Sequence, residues 1–169
     1  MTAAGPAAPV VDEASVRGAL AEVADPEIPV VSIVDLGIVE RVDVRPGRIE
    51  IELLPTFVGC PALDLIRSAV IERLSAFGRP VSVEFGFRVP WTSDRITSTG
   101  RERLRMAGFA PPEPASVERP LLVHLGEPVP CPNCGSLRTV LENAFGPSQC
   151  RAIHYCTACR QPFEAFKVV

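Results

Sequence analysis

The stretch RIEIELLPTFVGCPALDLIRSAV, residues 48–70, decides the fold of this chain. Its apolar residues first recur at every second position, which is typical of a strand with one buried face: Ile49, Ile51 and Leu53. They then recur at helical spacing: Leu63, Ile66 and Val70, with Leu74 beyond them. Pro61 suits the first turn of that helix, because this turn does not need the N–H that proline lacks. The stretch therefore predicts a strand, a loop that carries Cys60, and a helix.

The sequence before this stretch predicts a helix and the other half of a β-hairpin. Apolar residues recur at helical spacing within residues 12–23. The two prolines of DPEIP, residues 25–29, end this helix, because a residue that precedes proline is disfavoured in the α region. A strand over residues 38–44 is followed by the turn RPGR, residues 45–48. This strand should therefore pair with the next one as an antiparallel hairpin.

The sequence after the stretch adds a third strand and a last helix. Gly78 is suited to end the second helix, and residues 81–87 alternate apolar and polar positions. Thr99 and Glu102 have the spacing of a capping box, and Gly108 would end the short helix that they start. The predicted order is α-β-β-α-β-α, which indicates the α+β class, a small sandwich with its helices on one face of the sheet.

Composition and charge exclude several classes of protein. A chain of 169 residues that is 47% hydrophobic and 22% charged can bury a core. A formal net charge of −3 argues against a nucleic-acid partner. Residues 1–10 lack the basic and apolar regions of a signal peptide and are expected to be a flexible tail. No apolar stretch is long enough for a membrane span, so we expect a cytoplasmic protein with reduced thiols.

The C-terminal part of the sequence is predicted to be a separate module that a metal ion stabilises. Six prolines and no periodicity between residues 110 and 130 indicate a linker, so we expect a domain over residues 11–110, a linker over 111–130, and a module over 131–169. Few contacts should then cross the linker, and the two parts should be separable by limited proteolysis. A module this short needs more than a hydrophobic core to fold.

Two C-x-x-C pairs supply the ligands that such a module needs. CPNC and CTAC are separated by 21 residues, which is the pattern of a structural zinc ribbon. The predicted zinc ligands are Cys131, Cys134, Cys156 and Cys159. The alternative, a pair of redox-active motifs, would require a thioredoxin-like βαβ unit, and the sequence predicts none. The aromatic residues of the ribbon could stack on bases, but they more often pack a core of this size, so a protein-docking ribbon is favoured.

Two further residues in the module are surplus to a four-thiolate site. His154 is expected to be a surface residue of a strand. Cys150, in GPSQC, is expected near the end of a hairpin. Free cysteines are usually buried, so Cys150 is either a small packing residue or a fifth sulfur that is available to a metal or a partner.

Cys60 also has two interpretations. Because it lies just before a helix, the N–H groups of the first turn could stabilise its thiolate and lower its pKa. Thr56, four positions earlier, could then hydrogen-bond the thiolate or cap the loop. Alternatively, Cys60 packs under the helix as a small apolar residue.

Three short motifs resemble one known family. DPE-x-P at residues 25–29, DLG at 35–37 and T-x-x-x-C-P at 56–61 look like the domain of unknown function fifty-nine, whose members include SufT-type iron–sulfur assembly factors. The similarity continues through PWTSDRITSTGRERLRMAGFAPP, residues 90–112, and FGPSQCRAIHYCTACRQPFEAFK, residues 145–167. That combination resembles the family of phenylacetyl-CoA 1,2-epoxidase D subunits.

The resemblance implies an accessory role in aerobic phenylacetate degradation. The implied partners are a di-iron oxygenase and a reductase with flavin and a [2Fe–2S] cluster. The chain lacks the Glu-x-x-His motif of the first and the nucleotide fingerprint and cysteine spacing of the second, so no turnover is expected. By exclusion, it would assemble or deliver iron or an iron–sulfur cluster to them.

The resemblance also implies which residues bind and transfer the iron or the cluster. Cys60 is the candidate ligand, with Thr56 beside it and the loop residues Asp25, Glu27 and Asp35 in support. One thiol cannot hold a cluster, so a homodimer, Cys150 or the client protein must supply further ligands.

Two other functions remain open from the sequence. The chain could be a scaffold that docks through its ribbon without moving metal. It could also be an enzyme with a cysteine nucleophile, for which Asp25 or Asp35 would have to be the base, because both histidines lie outside the domain of Cys60.

Overall fold

The structure is a computed structural model that describes residues 11–57, 59–112 and 128–167. The flexible tail predicted over residues 1–10 and residues 113–127 of the predicted linker lie outside the described residues. Within the described ranges the chain forms α1 (Glu13–Leu20), β1 (Val39–Arg45), β2 (Arg48–Leu53), α2 (Leu63–Ser75), β3 (Val81–Phe85), α3 (Ser98–Met106), β4 (Phe109–Ala110), β5 (Thr139–Asn143), β6 (Arg151–Cys156) and β7 (Gln161–Phe166). The predicted α+β class and the order of its first six elements are confirmed.

The N-terminal sheet contains three strands in the order β1-β2-β3. β1 and β2 are antiparallel, and Arg45 lies opposite Arg48 across the predicted turn. β3 is parallel to β2, with Val81 opposite Ile49. A parallel pair needs a crossover connection, and α2 provides it. α2 packs against α1 and β3, and the side chains between these elements are fully buried: Val16, Leu20, Ile49, Leu53, Val70 and Leu74.

Several predicted boundaries differ from the observed ones by a few residues. α3 is capped by Thr97, whose side-chain oxygen accepts from the N–H of Gly100 at 2.9 Å. Thr99 and Glu102 therefore lie inside this helix, and the capping box predicted for them is wrong. β3 ends at Phe85, and Phe87 is exposed.

The ribbon sheet is completed by a strand from the N-terminal part. Its four strands have the order β4-β7-β6-β5. β6 pairs antiparallel with both β5 and β7, as in a ribbon. β4 pairs parallel with β7, with Phe109 opposite Glu164. Residues 109 and 110, at the predicted end of the first domain, therefore belong to the sheet of the second.

The ribbon also packs against the N-terminal core. Phe166 and Cys150 are buried together with the core residues of the first domain. The ring of Phe166 lies 5.8 Å from the ring of Trp91, and the Trp91 indole N–H donates to the carbonyl of Leu36 at 2.8 Å. These contacts differ from the expectation that few contacts connect the two parts. The alternation of Phe163 and Ala165 in β7 marks one buried face, and it does not reveal that Phe166 lies on a second one.

Removal of the Phe166 ring should loosen this interface. We expect Phe166→Ala to lower the free energy of unfolding by about 3–5 kcal/mol, the usual cost of deleting a buried aromatic ring. Trp91 is the only tryptophan of the chain, so its fluorescence should shift to longer wavelength as water reaches the indole. Phe145→Ala is the matched control, because Phe145 is 78% exposed. An unshifted Trp91 spectrum in Phe166→Ala would show that the ribbon does not cover this tryptophan in solution.

None of the helices in the described ranges could cross a membrane. The longest, α2, has 13 residues, whereas a spanning helix needs about 20 apolar ones.

Candidate functional site

The four cysteines of the two C-x-x-C pairs converge at one end of the ribbon. Their sulfur atoms all lie within 4.8 Å of one another. The Cys131 and Cys159 sulfurs are 3.7 Å apart, and the Cys134 and Cys156 sulfurs are 3.6 Å apart. Tetrahedral zinc with ligands at about 2.3 Å requires sulfur–sulfur separations of about 3.8 Å. The residues therefore fit a tetrahedral metal ion.

Backbone turns hold both cysteine pairs in the same way. The N–H of Gly135 donates to the Cys131 carbonyl, and the N–H of Arg160 donates to the Cys156 carbonyl, both at 2.8 Å. Each donor residue has a left-handed backbone, with φ of 71° at Gly135 and 60° at Arg160. Arg160 therefore adopts the conformation that glycine provides in the first turn, although this is uncommon for a residue with a side chain.

The backbone around the quartet favours thiolate at one of its sulfurs. A hydrogen bond from the N–H of Cys159 is the main cause that lowers the pKa of Cys156 to about 7. Burial raises the pKa of the neighbouring Cys159 to about 12, so the turn favours thiolate, the form that binds metal, at Cys156 and not at Cys159.

His154 is buried, and its predicted position on the surface is wrong. Its ring stacks on the ring of Phe163 with centroids 5.6 Å apart. Burial lowers the pKa of His154, so the side chain is neutral at pH 7 and contributes to the ribbon core. His154 lies opposite Leu141 in the β5–β6 pair. The sequence alone does not show which face of β6 is covered, so it does not predict the burial of this residue.

A second group of polar residues surrounds a small cavity where the ribbon meets the N-terminal domain. The cavity has a volume of about 10 Å³. Its polar and thiol-bearing lining residues are Asp25, Glu27, Thr56, Cys60 and Cys150, and the other lining residues are apolar. Five of the six residues predicted to act in metal transfer or to support it therefore line one cavity. Asp35, the sixth, does not line the cavity.

Asp35 has a structural setting instead. Its carboxylate accepts hydrogen bonds from the N–H and the hydroxyl of Ser32, both at 3.0 Å, and forms an ion pair of 2.5 Å with Arg103. These contacts connect the DLG loop to α3.

The loop before α2 gives Cys60 a different environment from the predicted one. α2 begins at Leu63, and Pro61 and Ala62 form a turn between this helix and Cys60. Cys60 is half-buried, and burial raises the pKa of its thiol, although a hydrogen bond from the N–H of Ala62 opposes the rise. The predicted lowering of the Cys60 pKa by the helix is therefore wrong, because burial outweighs this hydrogen bond.

Cys150 enters the cavity from the ribbon. Its sulfur lies 3.9 Å from a carboxylate oxygen of Glu27 and 3.1 Å from the hydroxyl of Ser148. Burial raises the pKa of the Cys150 thiol, and the carboxylates of Glu27 and Asp25 raise it further. Asp25 is fixed by two hydrogen bonds, because its Oδ1 accepts from the N–H groups of Glu27 and Ile28 at 2.9 and 2.8 Å. The cavity thus combines two thiols and two carboxylates from three separated segments.

Sequence reasoning identified these residues but not their juxtaposition. The distance between residues 60 and 150 along the chain gives no signal of contact. Phe166, which also lines the cavity, was not predicted, and its only signal was that it directly follows Ala165 at the end of β7.

The fold and the cysteine quartet together define a class of protein. In this class, an α+β domain of the iron–sulfur assembly type is joined to a zinc ribbon. Residues 13–85 match the family described as iron–sulfur cluster assembly protein, and residues 120–167 match the PaaD zinc beta ribbon domain. A crystal structure of a domain of unknown function, DUF59, from Bacillus anthracis is similar with a TM-score of 0.51 and 29% identity, over 54% of this chain and 90% of that one.

Two relatives specify the family further. The chain is 39% identical to an Escherichia coli (strain K12) protein that is provisionally named as the D subunit of 1,2-phenylacetyl-CoA epoxidase, over 89% of each chain. It is also 34% identical, over 49% of its length and 83% of the relative, to the Fe–S protein maturation auxiliary factor YitW of Bacillus subtilis (strain 168). The chain belongs to the family of phenylacetyl-CoA epoxidase D subunits.

Proposed function

We propose that this chain is a non-catalytic maturation factor that delivers iron or an iron–sulfur cluster to the other subunits of a phenylacetyl-CoA epoxidase. The clients would be the di-iron oxygenase and the reductase with flavin and a [2Fe–2S] cluster. Similarity to an epoxidase subunit over most of the chain and to a maturation factor over its N-terminal half supports this role. The zinc ion of the ribbon would be structural, and the iron or cluster would be cargo.

The observation that carries the proposal is the position of Cys60 in the cavity. Its thiol is half-buried beside Glu27 and Thr56, on a loop and not within a helix or strand. A thiol in such a position can bind a metal and release it to a client more readily than a ligand of the closed ribbon quartet. Cys60 would therefore be the transfer ligand.

The size of the cavity also argues against an enzyme with a cysteine nucleophile. A volume of about 10 Å³ holds about one water molecule. A coenzyme A thioester could not enter it, and Asp25 already accepts two backbone hydrogen bonds, so it is poorly placed to remove a proton from the thiol.

A scaffold without metal transfer is the second candidate, and one surface of the ribbon favours it. β5 is an edge strand of the ribbon sheet, and several apolar side chains on and beside it are exposed: Leu137, Val140, Leu141 and Phe145. Such a surface suits the docking of another protein chain. Docking and delivery are compatible, so the test must separate them.

Cys60→Ser separates delivery from docking. We expect the variant to keep its fold and its zinc, because Cys60 lies outside the quartet. Cells that carry it should lose growth on phenylacetate, and their oxygenase or reductase should contain less iron than in cells with the unchanged chain. The measurements are growth, epoxidase activity and the iron content of the purified subunits.

Ser68→Ala is a suitable control, because the Ser68 side chain is exposed and bonds only within α2. Normal growth of the Cys60→Ser strain with fully metallated subunits would contradict delivery through Cys60 and favour the scaffold.

A further inference from the structure

We infer that Cys60, Cys150 and Glu27 form a binding site for a single ferrous ion, in which the ribbon supplies the second thiol. This inference rests on the proposed function and names its cargo. The proposed function uses Cys60 as the single transfer ligand. In the inferred site, the ligands come from both the N-terminal domain and the ribbon.

Three segments of the chain place residues with metal-binding side chains in the lining of one cavity. Cys60 comes from the loop before α2, Glu27 from the loop after α1, and Cys150 from the turn before β6. The Cys150 sulfur is 3.9 Å from the Glu27 carboxylate. A sulfur and a carboxylate oxygen that share a tetrahedral ion of the size of zinc lie about 3.6 Å apart. Cys60 and Glu27 are half-buried, and the proposed site requires the Cys60 side chain to close on the ion.

The ribbon turn that carries Cys150 lies close to the Cys60 loop. A Cβ atom added to Gly59 would lie 3.7 Å from the side-chain oxygen of Gln149. The N–H of Lys167 donates to the Cys150 carbonyl at 2.8 Å, which fixes this turn to the end of β7. Cys150 is therefore presented to the cavity by a packed interface and not by a mobile arm.

The cavity size selects a single ion over a cluster. A volume of about 10 Å³ corresponds to about one water-sized sphere. A [2Fe–2S] cluster contains two irons and two sulfides and would have to displace the ribbon.

The charges around the cavity favour a cation. The carboxylates of Asp25 and Glu27 both act on Cys60 and on Cys150, and the guanidinium of Arg151 also acts on Asp25 and Cys150. With both thiols ionised, four negative groups face one positive group among these residues. A bound divalent ion offsets part of this negative charge. Two thiolates and a carboxylate form a mixed soft and hard donor set that suits divalent iron, and also zinc or cobalt.

Anaerobic titration with Co²⁺ tests the ligand set, because thiolate-to-cobalt absorption increases with the number of bound thiolates. The full chain, already loaded with zinc in the ribbon, should bind one Co²⁺ and show a band for two thiolates, and Fe²⁺ should compete for the site. In Cys150→Ser the band should fall by about half, and binding should weaken by about 100-fold or more, because loss of even an indirect partner of a metal ligand costs 10–100-fold. Glu27→Gln should weaken binding with the band unchanged.

Matched controls separate a failure of this site from a failure of the proposed function. Glu142→Gln changes an exposed carboxylate of the ribbon and should bind like the unchanged chain, and retained zinc in Cys150→Ser and Cys150→Ala shows an intact ribbon. If Cys60→Ser alone abolishes the band and both Cys150 variants bind normally, the two-part site is wrong and delivery by Cys60 stands. If Cys60→Ser also binds Co²⁺ like the unchanged chain, both this site and the proposed transfer ligand are wrong.

Discussion

Replacement of Cys156 by serine is expected to remove the zinc ion and to unfold residues 128–167. The buried cluster at the metal end of the ribbon consists of Ala110, Cys131, Cys156, Phe163 and Ala165. Two of these residues are themselves ligands, so little apolar packing remains without the ion. Zinc binding in modules of this kind contributes about 10–16 kcal/mol, which exceeds what so small a core provides.

The expected measurements are a loss of about one zinc per chain and the loss of protection of ribbon amides from hydrogen exchange. Trp91 should become accessible as well, because Phe166 would leave its ring. Cys150→Ser is the matched control, since it changes a cysteine of the same module that lies outside the quartet. If Cys156→Ser kept a folded ribbon without metal, the quartet would not be what stabilises this module.

Gly37→Ala is expected to destabilise the N-terminal domain by about 3 kcal/mol or more, because a strained backbone would combine with a steric clash in the core. Gly37 has a φ of 65°, in the left-handed region that a side chain makes unfavourable. A Cβ at this position would also overlap the backbone carbonyl of Arg95. Arg95 would have to move, although its side chain donates to the Gly37 carbonyl and forms an ion pair with Glu40.

Gly18→Ala provides a control of opposite sign. Gly18 is exposed in α1, and a Cβ there would contact nothing within 4 Å. Alanine should therefore stabilise the chain by about 0.5–1 kcal/mol through its higher helix propensity. Thermal or urea unfolding of both variants gives the comparison. Equal stabilities of Gly37→Ala and the unchanged chain would show that the DLG loop can relax without cost.

The sequence predicted most of the fold because its local patterns agree with the tertiary structure. The alternation of Ile49, Ile51 and Leu53 and the helical spacing of Ile66 and Val70 match residues that are buried in the structure. The zinc quartet was equally predictable, because each C-x-x-C pair is a local turn and its spacing carries the chemistry.

What the sequence did not predict depends on contacts between distant segments. The pKa of Cys60 was predicted in the wrong direction because burial by neighbours outweighs the helix that follows it along the chain. The contact of Phe166 with Trp91 and the entry of Cys150 into the cavity arise from docking of two surfaces. Neither surface has a periodic pattern that could mark its partner.

The pairing of β4 with β7 has a consequence for biosynthesis. Phe109 and Ala110 leave the ribosome long before Glu164 and Ala165, with which they pair. Until then, this short strand has an unpaired edge, and the metal end of the ribbon lacks Ala110, one of its buried residues. Non-local pairing of this kind forms slowly, because a long loop must close before any contact is gained. The C-terminal module therefore completes its sheet only when its last strand pairs with a strand that precedes the linker and packs against α3.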